Sequence, residues 1–253
     1  MSDGSAEEQG WWRAALDLVL PRTCPGCGAP GSLCTICARG LAGPFRRIAL
    51  GVEALDAAAG LPLPAVRALA RYRGPVRAAI VAGKERGRWD LPPLLGAAVG
   101  DGAVRLLHAG LLHLPLWFVP APTRRVAARR RGGDPVTALA KAAARVVAGR
   151  AGPAGVAVCL ATVGRAADSV GLTPTQRLAN LDGRIRFHLA GAPPEQACVV
   201  LLDDVVTTGA TAVSAVRVLA GAGIVVHTVL AVAGAGARTG DGIPPEARGG
   251  LVP

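Results

Sequence analysis

CVVLLDDVVTTGAT, Cys198 to Thr211, is the stretch on which the fold turns. Cys198 to Leu202 is an unbroken apolar run, the composition of a parallel strand covered on both faces. Asp203 and Asp204 close that strand, and Thr207, Thr208, Gly209 and Thr211 lead into a helical pattern that begins near Ala210. A helix N-terminus offers backbone N–H groups and the positive end of a dipole. Gly209 lets the backbone come close, and the threonine hydroxyls add donors. The loop therefore predicts a phosphate cradle. Two carboxylates facing that anion would repel it, so they are expected to accept hydrogen bonds from sugar hydroxyls or to hold a divalent cation. A phosphorylated ribose meets both demands. The plainer alternative is a buried strand ending in two solvated aspartates, with a threonine serving only as N-cap. Because neighbouring strand residues face opposite ways, one of the two aspartates can be structural in either case.

Taken in order, the apolar strand, Asp-Asp, two residues and Thr-Thr-Gly-x-Thr resemble the phosphoribosyl pyrophosphate (PRPP) motif of type I phosphoribosyltransferases. The resemblance implies PRPP contacts at Asp203, Asp204, Thr207, Thr208, Gly209, Ala210 and Thr211. Upstream, Leu114 to Val119 is a second buried strand, ending in Pro120-Ala121-Pro122-Thr123 and the basic run Arg124, Arg125, Arg129, Arg130 and Arg131. In a doubly wound sheet ligands gather outside the carboxyl ends of the strands, so this basic loop and the Thr207 loop are expected to face one crevice. Lys84, a lysine in an arginine-dominated chain just before Gly87, can reach a phosphate as a point charge. Lys84, Arg129, Arg130 and Arg131 are the candidate pyrophosphate contacts, with a solvated basic surface as the plainer reading.

Nearer the N-terminus, CPGCGAPGSLCTIC places Cys24, Cys27, Cys34 and Cys37 in the pattern C-x2-C-x6-C-x2-C. Each pair can turn two thiolates toward one ion, and two pairs complete a closed tetrahedral shell, which predicts structural zinc. Disulfides fit poorly with an acidic N-terminus, MSDGSAEEQGWW, that lacks an export signal. Cys159 and Cys198 lie in apolar runs and are expected to be small buried hydrophobes. The four histidines are scattered without metal or triad spacing and read as ordinary.

Composition bounds the rest. With 51% hydrophobic residues the chain is not wholly disordered, and no apolar run reaches the ~18 residues of a membrane span, which predicts a soluble, cytoplasmic protein. A net charge of +11 raises nucleic acid as a partner, but only Lys84 and Lys141 among 28 basic residues are lysines, so a coding bias toward arginine explains part of it. Aromatics are 3%, too few for an extended stacking surface for single strands. The expected organisation is a helix within 1–20, a zinc segment over 21–40, a connector over 41–64, an α/β domain over 65–232 and a disordered tail over 233–253. Within the domain, strands are expected at Val66 to Tyr72, Val156 to Ala161 and Ile224 to Val232. Helices are expected at Pro75 to Lys84, Leu94 to Leu107, Asp134 to about Gly149 and Ala210 to Gly221, with a short helical stretch opened by Thr173-Pro174.

The order of parts resembles the ComF family of phosphoribosyltransferase-like proteins over roughly Leu18 to Val232. The matching positions are the four cysteines; Tyr72, Gly74 and Lys84; Val119, Pro120 and Pro122; Arg131 and Gly132; Arg177 and Asn180; and Asp203 to Thr211. Gly133 stands where the family usually has an aromatic residue, and Ser169 near where a glutamine is common, departures that bear on the acceptor side. The resemblance implies a parallel sheet with flanking helices, PRPP held with magnesium, and a link to DNA uptake in competence. Two functions stay open on these grounds. One is phosphoribosyl transfer to an unknown acceptor with release of pyrophosphate. The other is a non-catalytic competence accessory that binds single-stranded DNA or senses nucleotides.

Overall fold

The computed structural model describes residues 22–51, 60–123, 133–163 and 184–235. In chain order these hold helix α1 (Thr35–Ala38), a 3-10 turn (Arg39–Leu41), strands β1 (Arg46–Arg47) and β2 (Ala65–Arg71), and helices α2 (Gly74–Glu85) and α3 (Leu91–His108). Then follow β3 (Leu116–Pro120), α4 (Pro135–Arg150), β4 (Ala154–Val156), β5 (Leu160–Thr162), β6 (Ile185–Phe187), β7 (Cys198–Val206), α5 (Ala210–Gly221) and β8 (Val226–Gly234). The main sheet runs β1-β2-β8-β7-β3-β4, parallel throughout except for β1, and β5 pairs with β6 in a separate antiparallel ribbon. This is the expected α/β architecture, with β7 at the centre because its residues are apolar on both sides. Val200 and Leu202 pack under the helices α2, α3 and α4, while Val199 and Leu201 pack under α5.

Local chemistry explains the helix ends. Pro75, Pro92 and Pro135 sit in the first turns of α2, α3 and α4, where a missing N–H costs nothing. Asp134 caps α4 by accepting from the N–H groups of Val136 and Thr137 at 3.2 Å each. Glycines let α3 and α4 pack backbone to backbone. A Cβ on Gly96 would run into the Leu139 carbonyl, and one on Gly100 would lie 2.8 Å from the Ala143 carbonyl oxygen and 2.7 Å from Val146 Cβ. Gly96→Ala is therefore expected to destabilise the fold by about 1–3 kcal/mol through overpacking, net of a gain in helix propensity of up to about 1 kcal/mol. Gly149→Ala, in open space on α4, should be neutral or stabilising, and urea unfolding of the two variants checks the contrast.

Four expectations about the elements are corrected. Asp203 and Asp204 do not close their strand: β7 runs on to Val206, because pairing with β8 continues through Asp203 with Ala231, Val205 with Ala233 and Val206 with Gly234. Val156 to Ala161 is two strands, not one. The chain leaves the edge of the main sheet after Val156, and from Leu160 it pairs with β6 instead. The stretch expected as a connector contributes β1, which pairs with β2 and is flanked by the buried Phe45 and Ile48. The last strand carries on to Gly234, two residues into the expected tail. The expected helix near Trp11 to Leu20, the Thr173-Pro174 helix and the tail beyond 235 lie outside the described residues. No described helix is long and apolar enough to cross a membrane.

Candidate functional site

Because β2, β8, β7 and β3 are parallel, their carboxyl ends share one edge of the sheet, and those candidate residues that are described collect there. Asp204 is buried in β7, and Lys84, in the last turn of α2, reaches it from across the sheet end. Lys84 Nζ donates to Asp204 Oδ1 at 3.0 Å and stands 2.8 Å from Oδ2. Oδ2 makes only that ionic contact: among the described residues it has no hydrogen-bond partner, although it is buried. A buried carboxylate oxygen with unused acceptor capacity is costly unless a further donor arrives. Lys84, expected as a phosphate contact or as a solvated surface lysine, is paired here with Asp204, whose charge it offsets. Burial works against the charge on Lys84, but Asp204 and then Asp203 outweigh it, and its pKa is raised.

Asp203 is half-buried, and its Oδ1 accepts the backbone N–H of Asp204 at 2.8 Å. Burial, followed by the neighbouring Asp204 charge, pushes its pKa from 3.8 up to about 8. A carboxyl with a raised folded-state pKa holds its proton more tightly folded than unfolded. The resulting stabilisation is complete below about pH 4 and is lost as pH rises through about 8. The protein is therefore expected to lose stability between about pH 4 and pH 8, and Asp203→Asn, which cannot ionise, should flatten that slope in denaturant titrations at a series of pH values.

Beyond β7 the chain turns into α5. Gly209 is the N-cap, with φ +90 in the left-handed region, and a Cβ there would run into the Leu50 side chain. Thr208 Oγ1 accepts the Ala210 N–H at 3.4 Å, while its carbonyl accepts the Gly51 N–H at 3.1 Å. Thr207 is exposed and Thr211 half-buried, so both hydroxyls stand at the helix entrance. The N–H groups of the first turn have no partner within the helix, which is the general basis of an anion site. The Thr208 hydroxyl, one residue before the N-cap, thus satisfies one of the free N–H groups at the start of α5, as in the plainer reading of this loop.

The two ends of the basic loop after β3 are tied at the same sheet edge. Ala121 N–H donates to the Leu202 carbonyl at 2.7 Å, and Thr123 Oγ1 donates to Asp134 Oδ1 at 2.9 Å. Arg129, Arg130 and Arg131 themselves, with Arg177 and Asn180, lie outside the described residues. Where the family pattern has an aromatic residue, Gly133 lies against the ring of Trp89: a Cβ at Gly133 would be 3.1 Å from it.

The four cysteines come together as their spacing predicts. The sulfurs of Cys24, Cys27, Cys34 and Cys37 lie within 4.8 Å of one another, those of Cys27 and Cys34 at 3.5 Å. A zinc ion with Zn–S bonds of about 2.3 Å separates its sulfurs by about 3.8 Å, so the cluster can hold a metal such as zinc. Their charges are strongly coupled. Burial works against the Cys24 thiolate, but N–H groups aimed at its sulfur prevail and bring its pKa down to about 6. Burial and the neighbouring thiols push Cys37 up. A cation removes that conflict. Glycine is required at position 26, where a Cβ would lie 2.7 Å from Pro75 Cβ and 2.9 Å from Cys37 Sγ. The segment is pinned to the main sheet's helices by Arg88, which donates to the Thr23 carbonyl at 2.8 Å and forms a two-pronged pair with Asp90 at 2.9 and 2.8 Å.

The histidines require a correction. Cys159 and Cys198 are buried as expected, but His113, Cys198 and His227 form a second cluster at the opposite end of the sheet. Sequence spacing could not reveal it, because only the pairing of β3, β7 and β8 brings positions 113, 198 and 227 together. Comparison with known protein families finds no match for this chain, and comparison with curated proteins finds no matching relative.

Proposed function

We propose that the chain is a phosphoribosyltransferase-like protein of the ComF type that binds PRPP, or a related 5-phosphoribosyl ligand, at the carboxyl end of β7. The observation that supports this most is the meeting of three features at one sheet edge. These are the Asp203-Asp204 pair, the α5 entrance from Thr207 to Thr211, and Lys84 drawn to the buried Asp204 carboxylate. In this reading Asp204 Oδ2 and Asp203 accept the ribose hydroxyls, and the first turn of α5 holds the 5′-phosphate. The bond between the anomeric carbon and pyrophosphate oxygen breaks, and pyrophosphate leaves with the electron pair. The acceptor forms the new bond and gives up a proton. Lys84 would offset negative charge on the leaving pyrophosphate, with Arg129, Arg130 and Arg131 as further candidates for that role, while the Asp203 and Asp204 carboxyls lie beside the ribose on which positive charge develops.

Magnesium fits this donor set only as an ion held largely by the ligand's own oxygens and water, since one of the two carboxylates is already engaged by Lys84. Bound there it would neutralise pyrophosphate charge. Zinc at the four-cysteine cluster has a structural role, because a shell of four thiolates leaves no position for a reacting water. The alternative is an accessory of DNA uptake acting on single-stranded DNA or with the competence machinery. It draws on the net charge of +11 and on the exposed Arg46 and Arg47 of the edge strand.

Pyrophosphate release from PRPP, measured with magnesium against a panel of nucleobases, tests transfer. Release with any base that is lost in Asp204→Asn supports the enzyme. DNA binding that weakens steeply with salt and persists in Asp204→Asn, without release, supports the accessory.

A further inference from the structure

We propose that His113, Cys198 and His227 form a second metal site, at the amino end of the sheet, that takes a borderline transition-metal ion of the zinc class. Each ligand comes from a different element: His113 from the loop before β3, Cys198 from the first position of β7, and His227 from the second position of β8. Their placement is not a by-product of packing. In the pairing of β7 with β8, Val199 aligns with Val226 and Val200 with Thr228, so His227 is the extra residue of a β-bulge. A bulge re-aims a side chain, and His227 is the one exposed residue in an otherwise buried strand. Across the sheet the Pro115 carbonyl accepts the Cys198 N–H at 2.8 Å, which fixes the His113 loop over the buried sulfur.

The resulting geometry is that of a coordination sphere. The two Nε2 atoms stand 3.3 Å apart, with the rings at 79° to one another, and the three ligand atoms all lie within 4.8 Å. Zn–N bonds of about 2.0–2.1 Å in a tetrahedron separate two nitrogens by about 3.3–3.4 Å, so the histidine pair is already at the spacing of one edge. Closing the sulfur edges to about 3.6 Å needs side-chain shifts of about 1 Å. Two imidazoles and one thiolate suit zinc or a neighbouring ion, and three ligands leave a fourth position that opens to solvent beside two exposed rings.

The protons balance. His113 Nδ1 lies 3.4 Å from the Leu114 carbonyl, which places its proton there and leaves the Nε2 lone pair free. His227 Nδ1 accepts the Val199 N–H at 3.2 Å, so its own proton sits on Nε2 between the rings. An arriving ion replaces that proton, which moves to Nδ1 as the Val199 bond is given up, and the Cys198 thiol releases one proton to solvent. Uptake of one ion thus frees one proton. The site is independent of the phosphoribosyl reading: Cys198 and Asp204 are six residues apart on one strand, about 20 Å.

The test uses the full chain under reducing conditions, equilibrated with excess zinc, freed of unbound metal and assayed for zinc per chain. Wild type is compared with the double variant His113→Gln, His227→Gln, whose two exposed positions can change without disturbing the core, and with Cys198→Ala. The expected result is about one zinc fewer in each variant than in wild type, with the four-cysteine cluster still loaded. Cobalt substitution should show a thiolate-to-metal absorption component that disappears in Cys198→Ala. Equal zinc in wild type and a folded double variant, or cobalt spectra unchanged by Cys198→Ala, overturns the proposal.

Discussion

Removing metal from the four-cysteine cluster should cost the N-terminal segment its fold while the sheet survives. Structural zinc in small cysteine sites supplies on the order of 10 kcal/mol of apparent folding free energy, far more than the few side chains around this segment provide. Cys24 and Cys37 are buried at its centre, and Gly26 packs against Pro75 at the start of α2. Without an ion, four coupled thiols remain in one small space, and the contacts of Arg88 with Thr23 lose their rigid partner. Treatment with a strong chelator in reducing buffer, or Cys37→Ser, is therefore expected to make the backbone near residues 22–40 protease-sensitive. The far-UV signature of the α/β core should persist, because β7, β8 and β3 are packed by α3, α4 and α5. Protection of that segment after the metal has gone would mean that packing alone holds it.

Gly209→Ala should damage the anion loop by two independent faults. A residue with a side chain at φ +90 costs about 1–2 kcal/mol, and its Cβ would displace Leu50 at a further cost of about 1–3 kcal/mol. The expected sum is a loss of about 2–5 kcal/mol, taken up partly as lower stability and partly as a reshaped loop, with affinity for phosphate and PRPP falling at least about tenfold. Gly221→Ala at the other end of α5 meets nothing within 4 Å and should leave both properties unchanged. Thermal unfolding and phosphate titration of the two variants read the contrast.

The central strand, the helix that follows it and the four-cysteine cluster were legible because each rests on local chemistry: an apolar run, a glycine with threonines at a helix start, and paired C-x2-C turns. Boundaries failed where pairing overruled composition. Two aspartates look like the end of a strand, yet β8 goes on pairing with β7 from Asp203 to Val206. Val156 to Ala161 reads as one run, yet the sheet edge and the β6 ribbon claim its two halves. Long-range register was also what hid the meeting of His113 with His227, and what hid Lys84 as the partner of Asp204, 120 positions away. A lysine near a glycine turn announces a basic group, but only the crossing of α2 over the sheet end gives that group its carboxylate.

The claim that Asp203, Asp204 and the Thr207 to Thr211 loop form one site for a 5-phosphoribosyl ligand is tested most directly by calorimetric titration. Wild type, Asp203→Asn, Asp204→Asn and Thr208→Val would each be titrated, with magnesium present, with PRPP and with inorganic phosphate. The account predicts that the two asparagine variants weaken PRPP and spare phosphate, because an amide replaces one of the two carboxyl oxygens available to the ribose hydroxyls with an NH2 donor but leaves the helix entrance intact. Thr208→Val should weaken both ligands by about 1–3 kcal/mol, the worth of a hydrogen bond to a charged group. Absence of PRPP binding in the wild type, or PRPP binding that none of the three substitutions changes, would contradict the account and leave β7 and α5 as a buried strand and a capped helix.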